Sequence, residues 1–239
     1  MVDRVPTGIH GLDPLIEGGF LRGDIILLAG NTGTGKTIFC TQYIHHGAAV
    51  HGEKGIYASF EEDEMTLKRD MGRLGFDLGK LEHKGALEII DLIELEALKD
   101  VGLRSSTEYL LGEVDRMRAK RFVIDSLTAF LTAYPVKFEY RTLMHLFTRA
   151  IKKRGCTTVL TCSLPIGSRS LGLGIEEFVA DAVITLESTL ESQELKTRLM
   201  IHKMRGTKHS KRYHEVMITR RGMEIIPSSY ELERSALRE

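Results

Sequence analysis

The chain has 239 residues, enough for one large α/β domain or two small ones with an ample core. Its 33 basic and 33 acidic residues cancel, so overall charge gives no reason to expect a nucleic-acid or membrane partner, and such a contact would need a local basic patch. Cys40, Cys156 and Cys162 form no CxxC pair, Met1 to Pro6 lacks the apolar stretch of a signal peptide, and no run approaches the ~20 apolar residues of a membrane span. These features predict a reduced, soluble, cytoplasmic protein.

Residues 7–24 alternate glycines with single apolar anchors (Thr7-Gly8-Ile9-His10-Gly11-Leu12-Asp13 onward) and predict a short helical turn and loops leading to a first strand, with His10 solvated. The apolar run Ile25 to Ala29 is followed by Gly30-Asn31-Thr32-Gly33-Thr34-Gly35-Lys36-Thr37, the G-x-x-x-x-G-K-T pattern of a phosphate-binding P-loop. Glycines let successive backbone N–H groups curl around a polyphosphate, Lys36 neutralises its terminal phosphates, and the Thr37 hydroxyl can ligate Mg²⁺ at a helix N-terminus. That geometry needs a strand, a loop and a helix. The flanks supply them, because Phe39, Tyr43 and Ile44 recur at helical spacing within a helix from Thr37 to Val50. Candidate nucleotide contacts are therefore Asn31, Thr32, Gly33, Thr34, Gly35, Lys36, Thr37 and Ile38.

A second strand, Ile56 to Phe60, ends on Glu61-Glu62-Asp63-Glu64. Ligands of open α/β sheets sit beyond the carboxyl ends of strands, so a carboxylate here can orient and deprotonate an attacking water. Asp63 and Glu64 also suit the start of the next helix, which carries Met65, Leu67, Met71 and Leu74. Ala86 to Ile93 reads as a strand, and Ser105 with Glu108 as the capping box of a helix bearing Tyr109, Leu110, Val114 and Met117; residues 94–104 between them show no clear pattern. Strand Arg121 to Asp125 then delivers an acid at its tip, the partner that a P-loop needs beside Mg²⁺.

Phe138 to Lys153 predicts a helix with Leu143, Leu146, Phe147, Ala150 and Ile151 inward. Strand Thr157 to Cys162 follows, with Ser163 at its tip either as a turn former or as a phosphate sensor. Pro165 to Gly174 predicts a mobile surface loop containing Arg169. From Ala182 the pattern becomes strands (182–187, 195–204, 213–219, 223–226), with alternation over Leu195, Thr197, Leu199 and Ile201 that marks a half-buried antiparallel extension. Between two of them, Lys203-Met204-Arg205-Gly206-Thr207-Lys208-His209-Ser210-Lys211-Arg212 is a basic turn with three readings: a solvated loop, a nucleic-acid contact, or a group reaching a neighbouring subunit's phosphates.

The P-loop, the Glu-ended second strand, the Asp-ended third and the Lys-x-Arg-Gly-Thr-x-His turn, in this order, resemble the KaiC branch of the RecA-like ATPases, close to archaeal single-domain KaiC-like proteins. The resemblance runs from Thr7-Gly8-Ile9-x-Gly-Leu-Asp13 to Ile218-Thr219. It implies one α/β RecA-like domain over 1–239: an N-terminal segment (1–24), a mostly parallel sheet flanked by helices, and an antiparallel extension (182–227) carrying the basic turn. It also implies a ring, usually a hexamer, with ATP and Mg²⁺ between subunits. Glu61, with Glu62 beside it, then matches the catalytic glutamate, and Thr37 and Asp125 the Mg²⁺ side. Lys203, Arg205, Thr207 and His209 match positions that reach the nucleotide from the adjacent protomer, and Thr219 a position near it. Lys36, Lys203 and Arg205 join the catalytic candidates. The clock protein of this branch carries two such domains and phosphorylates adjacent Ser and Thr residues, whereas the matching positions here are Glu177 and Phe178. An ATP-hydrolysing regulatory or signalling ring is therefore expected rather than an autokinase. The alternatives are a RecA/RadA-paralogue-like single-stranded DNA-binding protein and a nucleotide-occupied protein-binding switch.

Overall fold

The computed structural model describes residues 2–94, 102–133, 140–164 and 179–226. The 165–174 loop with Arg169, the Glu177-Phe178 pair, Phe138 and most of 94–104 lie outside the described residues. A nine-stranded sheet organises the rest. In chain order its strands are β3 (Ile25–Gly30), β4 (Gly55–Ser59), β5 (Leu87–Asp91), β6 (Arg121–Asp125), β7 (Thr157–Ser163), β8 (Ala182–Glu191), β9 (Glu194–Met204), β10 (His214–Thr219) and β11 (Gly222–Ile226). In space they run β11-β10-β9-β8-β3-β7-β6-β4-β5. The two short strands β1 (Arg4–Val5) and β2 (Phe20–Leu21), which local patterning did not reveal, form a separate ribbon around a 3-10 turn at Asp13–Ile16.

Strands β8, β3, β7, β6, β4 and β5 are mutually parallel, and antiparallel pairing starts only at β9. The expected antiparallel extension from Ala182 is corrected on this point. Ala182 to Leu186 is buried on both faces against the P-loop strand, and so reads as an unbroken apolar run like the other parallel strands. β8 also runs on to Glu191, closing a hairpin with β9 through Ser192 and Gln193, both at positive φ.

The pleat of β3 divides the core. Ile26 and Leu28 pack with Phe39, Tyr43 and Ile44 of helix α1 (Lys36–Val50), α2 (Glu64–Gly72) and α3 (Leu78–His83) on one face. Ile25, Leu27 and Ala29 pack with α4 (Leu103–Met117), α5 (Leu127–Thr132) and α6 (Tyr140–Lys153) on the other. In α6 the inward stripe is Tyr140, Met144, Phe147, Thr148 and Ile151, whereas Leu146, expected inward, is 60% exposed. Residue 146 falls off the i, i+4, i+7, i+11 line that faces the sheet. The capping box at Ser105 does not form, because α4 begins two residues earlier behind Gly102 and Glu108 pairs with Arg104. Asp63 does cap α2, accepting the Thr66 N–H at 2.8 Å.

The opening motif docks the N-terminal segment on β11. Thr7 Oγ1 donates to Asp13 at 2.6 Å and accepts the Ile9 N–H at 3.1 Å, and the Ile225 N–H donates to the His10 carbonyl at 2.8 Å. Gly11, at φ +81°, lies so close that a Cβ there would stand 1.9 Å from the Ile225 carbonyl oxygen. His10 itself is exposed, as expected of a loop histidine.

Candidate functional site

The carboxyl ends of four adjacent parallel strands meet at one edge of the sheet. Gly30 of β3 is level with Ser163 of β7, and Ser59 of β4 with Asp125 of β6. The P-loop leaves β3 at this edge and turns into α1, with Gly33 and Gly35 at φ +83° and +91°. Thr32 and Gly33 are exposed, Thr34 is buried with its hydroxyl on the Asn31 carbonyl at 2.8 Å, and the Asn31 amide donates to the Leu164 carbonyl at 3.2 Å. Ile38 packs against the core. Over Gly35 sits the β10–β11 hairpin. A Cβ on Gly35 would come within 2.9 Å of Met223 Cε and 3.1 Å of Ile218 Cδ1.

Lys36 is almost fully buried, its ammonium folded onto the Gly30 and Asn31 carbonyls at 2.9 and 3.0 Å. A buried cation bonded to neutral carbonyls at the centre of a loop of N–H donors suits a polyphosphate, whose oxygens are stronger, charge-assisted acceptors. Thr37 Oγ1 donates to Asp125 Oδ2 at 2.8 Å. Asp125 also accepts from the Tyr57 hydroxyl at 2.6 Å and the Thr161 hydroxyl at 2.6 Å. Burial, then the charge of Asp125, raises the Tyr57 pKa well above the ordinary range, so this hydroxyl stays a proton donor. A hydroxyl beside a fixed carboxylate at a P-loop helix start is the hard-oxygen donor set that fits Mg²⁺.

Across the cleft, Glu61 Oε1 accepts from Ser126 Oγ at 2.7 Å and Ser163 Oγ at 3.3 Å. Ser163 thus bonds a carboxylate at this edge, a contact its expected turn or sensor role did not include. Ser59 Oγ clamps the next residue, donating to the Glu62 carbonyl at 2.6 Å and accepting its N–H at 3.1 Å. Glu62 Oε2 is buried with no hydrogen-bond partner among the described residues. Burial first, then Asp125, Asp70, Glu61 and Asp63, raise its pKa. Tyr57 and Thr161 are not legible from the sequence as partners of Asp125. Tyr57 and Thr161 look like ordinary strand residues until the sheet stacks them beside Asp125.

The basic turn lies elsewhere. Lys203 Nζ donates to the Ala180 carbonyl at 2.7 Å, and Arg205 Nη1 is 3.5 Å from Asp181 Oδ1 with its side chain 61% exposed. Thr207 Oγ1 accepts from Arg4 at 3.2 Å, and His209 Nδ1 donates to the Ser210 carbonyl at 2.9 Å. The Asp181 N–H bonds the Ile25 carbonyl, so Lys203 and Arg205 stand beside the beginning of β3 while the P-loop leaves its end. Five residues at ~3.3 Å each separate the two ends by about 16 Å. Thr219 belongs to neither group: it closes the β10–β11 hairpin next to Ile218, bonded to the Gly222 carbonyl at 3.4 Å and to Glu224 at 3.2 Å.

A mostly parallel sheet with a P-loop leaving a central strand, an Asp two strands away and an antiparallel edge defines a RecA-like P-loop protein. Residues 5–230 match the family model described as "ATPase: KaiC", and the chain belongs to the KaiC ATPase family. It is 34% identical over 239 residues to a UPF0273 protein of Thermotoga maritima, covering 95% of this chain and 98% of that one. It is 34% identical over 219 residues to the circadian clock oscillator protein KaiC of Prochlorococcus marinus, covering 88% of this chain and 43% of the clock protein. The solved KaiC-like protein PH0186 of Pyrococcus horikoshii superposes with a TM-score of 0.86 at 36% identity, covering 95% of this chain and all of that one. No helix among the described residues is long and apolar enough to cross a membrane.

Proposed function

We propose that the chain acts as one ATPase domain of a homo-oligomeric ring, most simply a hexamer, hydrolysing ATP held between the P-loop of one copy and the basic turn of the next. The observation that carries this reading is the separation of the two cationic groups. Lys36 stands at one end of β3, and Lys203 and Arg205 at the other, so within one copy they cannot meet one polyphosphate. A head-to-tail arrangement closed into a ring brings opposite ends of neighbouring copies together.

In this reading the loop Asn31 to Thr37 and the Lys36 ammonium bind the triphosphate, with Ile38 and the Ile218–Met223 hairpin flanking the loop. Thr37 and Asp125 hold Mg²⁺, which when bound supplies positive charge to the phosphate oxygens. Glu61, aimed by Ser126 and Ser163, takes the proton of the attacking water. The water oxygen bonds the terminal phosphorus, the bond to the bridging oxygen breaks, and ADP keeps the electron pair. Arg205 and Lys203 of the next copy stabilise the charge that builds up, with Thr207 and His209 shaping their turn. Turnover then depends on assembly.

The test uses two defective proteins. Lys36→Ala should abolish ATP binding, and Arg205→Ala should keep it while losing turnover by about 10³-fold or more. Co-refolded, they should regain part of the activity, because an intact P-loop from one then faces an intact Arg205 from the other. Absence of recovery at every mixing ratio, or normal turnover by Arg205→Ala alone, defeats the reading.

A further inference from the structure

At the beginning of β3, the residue that joins the basic turn to the P-loop strand is Asp181. Its N–H donates to the Ile25 carbonyl at 2.8 Å and its Oδ2 accepts the Ile25 N–H at 2.9 Å, so it grips the first residue of β3 twice. Its carbonyl accepts the Arg205 N–H at 3.1 Å, which fixes the base of the Arg205 side chain. The carboxylate is only 6% exposed and is shared unequally. Lys152 of α6 sits on it at 2.5 Å, while the Arg205 guanidinium touches it at 3.5 Å.

Unequal sharing has a consequence. A buried carboxylate with one cation would hold that cation fast, since separating them leaves an uncompensated charge. With Lys152 meeting most of the charge, Arg205 is kept close to Asp181 and directed outward, yet is free to engage another anion. The neighbouring Lys203 is held by the carbonyl of Ala180, so Lys203 and Arg205 are placed by the two residues 180 and 181.

We infer that Asp181, balanced by Lys152, is the positioning residue that presents Arg205 to the phosphates of the adjacent copy. This rests on the intersubunit reading above. Since Asp181 also holds Ile25, a loss of activity on its removal can arise at either end of β3, and only the side of the interface at fault separates the two. Asp181 acts on the donated side.

Asp181→Asn keeps the shape and an acceptor for the Ile25 N–H but removes the charge. It should leave ATP affinity within about twofold and lower turnover by about 10- to 100-fold, the cost of a catalytic group misplaced by ~1 Å. Co-refolded with Lys36→Ala it should regain activity, and co-refolded with Arg205→Ala it should not, since every donated turn would then be defective. The opposite pattern, rescue by Arg205→Ala and none by Lys36→Ala, assigns the fault to the P-loop strand and overturns the proposal, as does unchanged turnover. The mixture of Lys36→Ala with Arg205→Ala is the control for the intersubunit reading. Its failure removes that reading and the Asp181 role with it, whereas its success beside the opposite pattern removes the Asp181 role alone. Should Asp181→Asn not fold, Lys152→Met on the more exposed side replaces it. With Arg205 then the one cation bonded to Asp181 among the described residues, turnover should fall and be rescued by Lys36→Ala. Unchanged turnover, or rescue by Arg205→Ala instead, refutes the shared-carboxylate arrangement.

Discussion

Two adjacent carboxylates stand at the tip of β4, and their surroundings give them different work. Glu61 is exposed but aimed by two serine hydroxyls that come from the ends of β6 and β7, the strands flanking the phosphate edge. Glu62 has its main chain clamped by Ser59, a buried oxygen with no partner among the described residues and a pKa raised by burial and by Asp125. In the proposed reaction a base must be held where the water is, and the paired serines favour Glu61 for that role. Glu61→Gln should therefore keep Mg-ATP affinity and lose about 10²- to 10⁴-fold in turnover. Glu62→Gln should lose less and gain stability at neutral pH, because a half-buried carboxylate, one oxygen of which has no partner among the described residues, is replaced by a neutral amide. Single-turnover assays and urea titration of the two variants would reveal whether these roles are exchanged.

At the level of elements, α1 is the hub. Its first turn carries Lys36 and Thr37, and one turn later Gln42 bonds the C-terminal hairpin and the N-terminal segment together. Gln42 Nε2 donates to the carbonyls of Gly8 at 2.8 Å and Met223 at 3.2 Å, and Oε1 accepts the Met223 N–H at 2.8 Å. The P-loop helix, β11 and residues 7–13 thus form one bonded layer, and the hairpin residues Ile218 and Met223 are held over Gly35 as a result. Gly11 is the tightest point of that layer. Gly11→Ala faces both a φ of +81° and a backbone carbonyl 1.9 Å from the new methyl, neither of which a side-chain rotation can relieve. It should destabilise the protein by more than ~1 kcal/mol and weaken ATP binding through displacement of the hairpin. Wild-type affinity in calorimetry would show that the hairpin and the loop are independent.

In the molecule as a whole, the sheet separates two charged ends. The phosphate end carries Lys36, Asp125, Glu61 and Glu62. At the opposite end, Asp24 and Asp181 lie near each other with Lys152, Arg205 and Arg4 around them, and burial, reinforced by Asp181, raises the Asp24 pKa to about 6. An unfolded Asp titrates near 3.9. Between about pH 4 and pH 6 the folded chain therefore binds a proton that the unfolded chain has released, so this residue's contribution to stability falls as pH rises through that window. Asp24→Asn should remove the dependence and be the more stable form at pH 7. Denaturation midpoints of both proteins from pH 4 to 7 test this, and parallel curves would show that Asp24 ionises normally.

Local sequence determined a large part of this protein. The P-loop, the acid ends of β4 and β6 and most core strands are legible because each is a short contiguous pattern whose chemistry is set by neighbours in the chain: alternation, helical spacing, and glycines before Lys36. Tertiary structure alone decided the rest. That Tyr57 and Thr161 bond Asp125, that Ser126 and Ser163 bond Glu61, and that β8 is a parallel neighbour of β3 all depend on the order of strands in the sheet, which brings together residues up to 156 positions apart. The same order places the basic turn at the far end of β3 from the P-loop. Strand direction is a property of pairing, so only the folded sheet reveals that one copy holds the two halves of its proposed site on opposite ends.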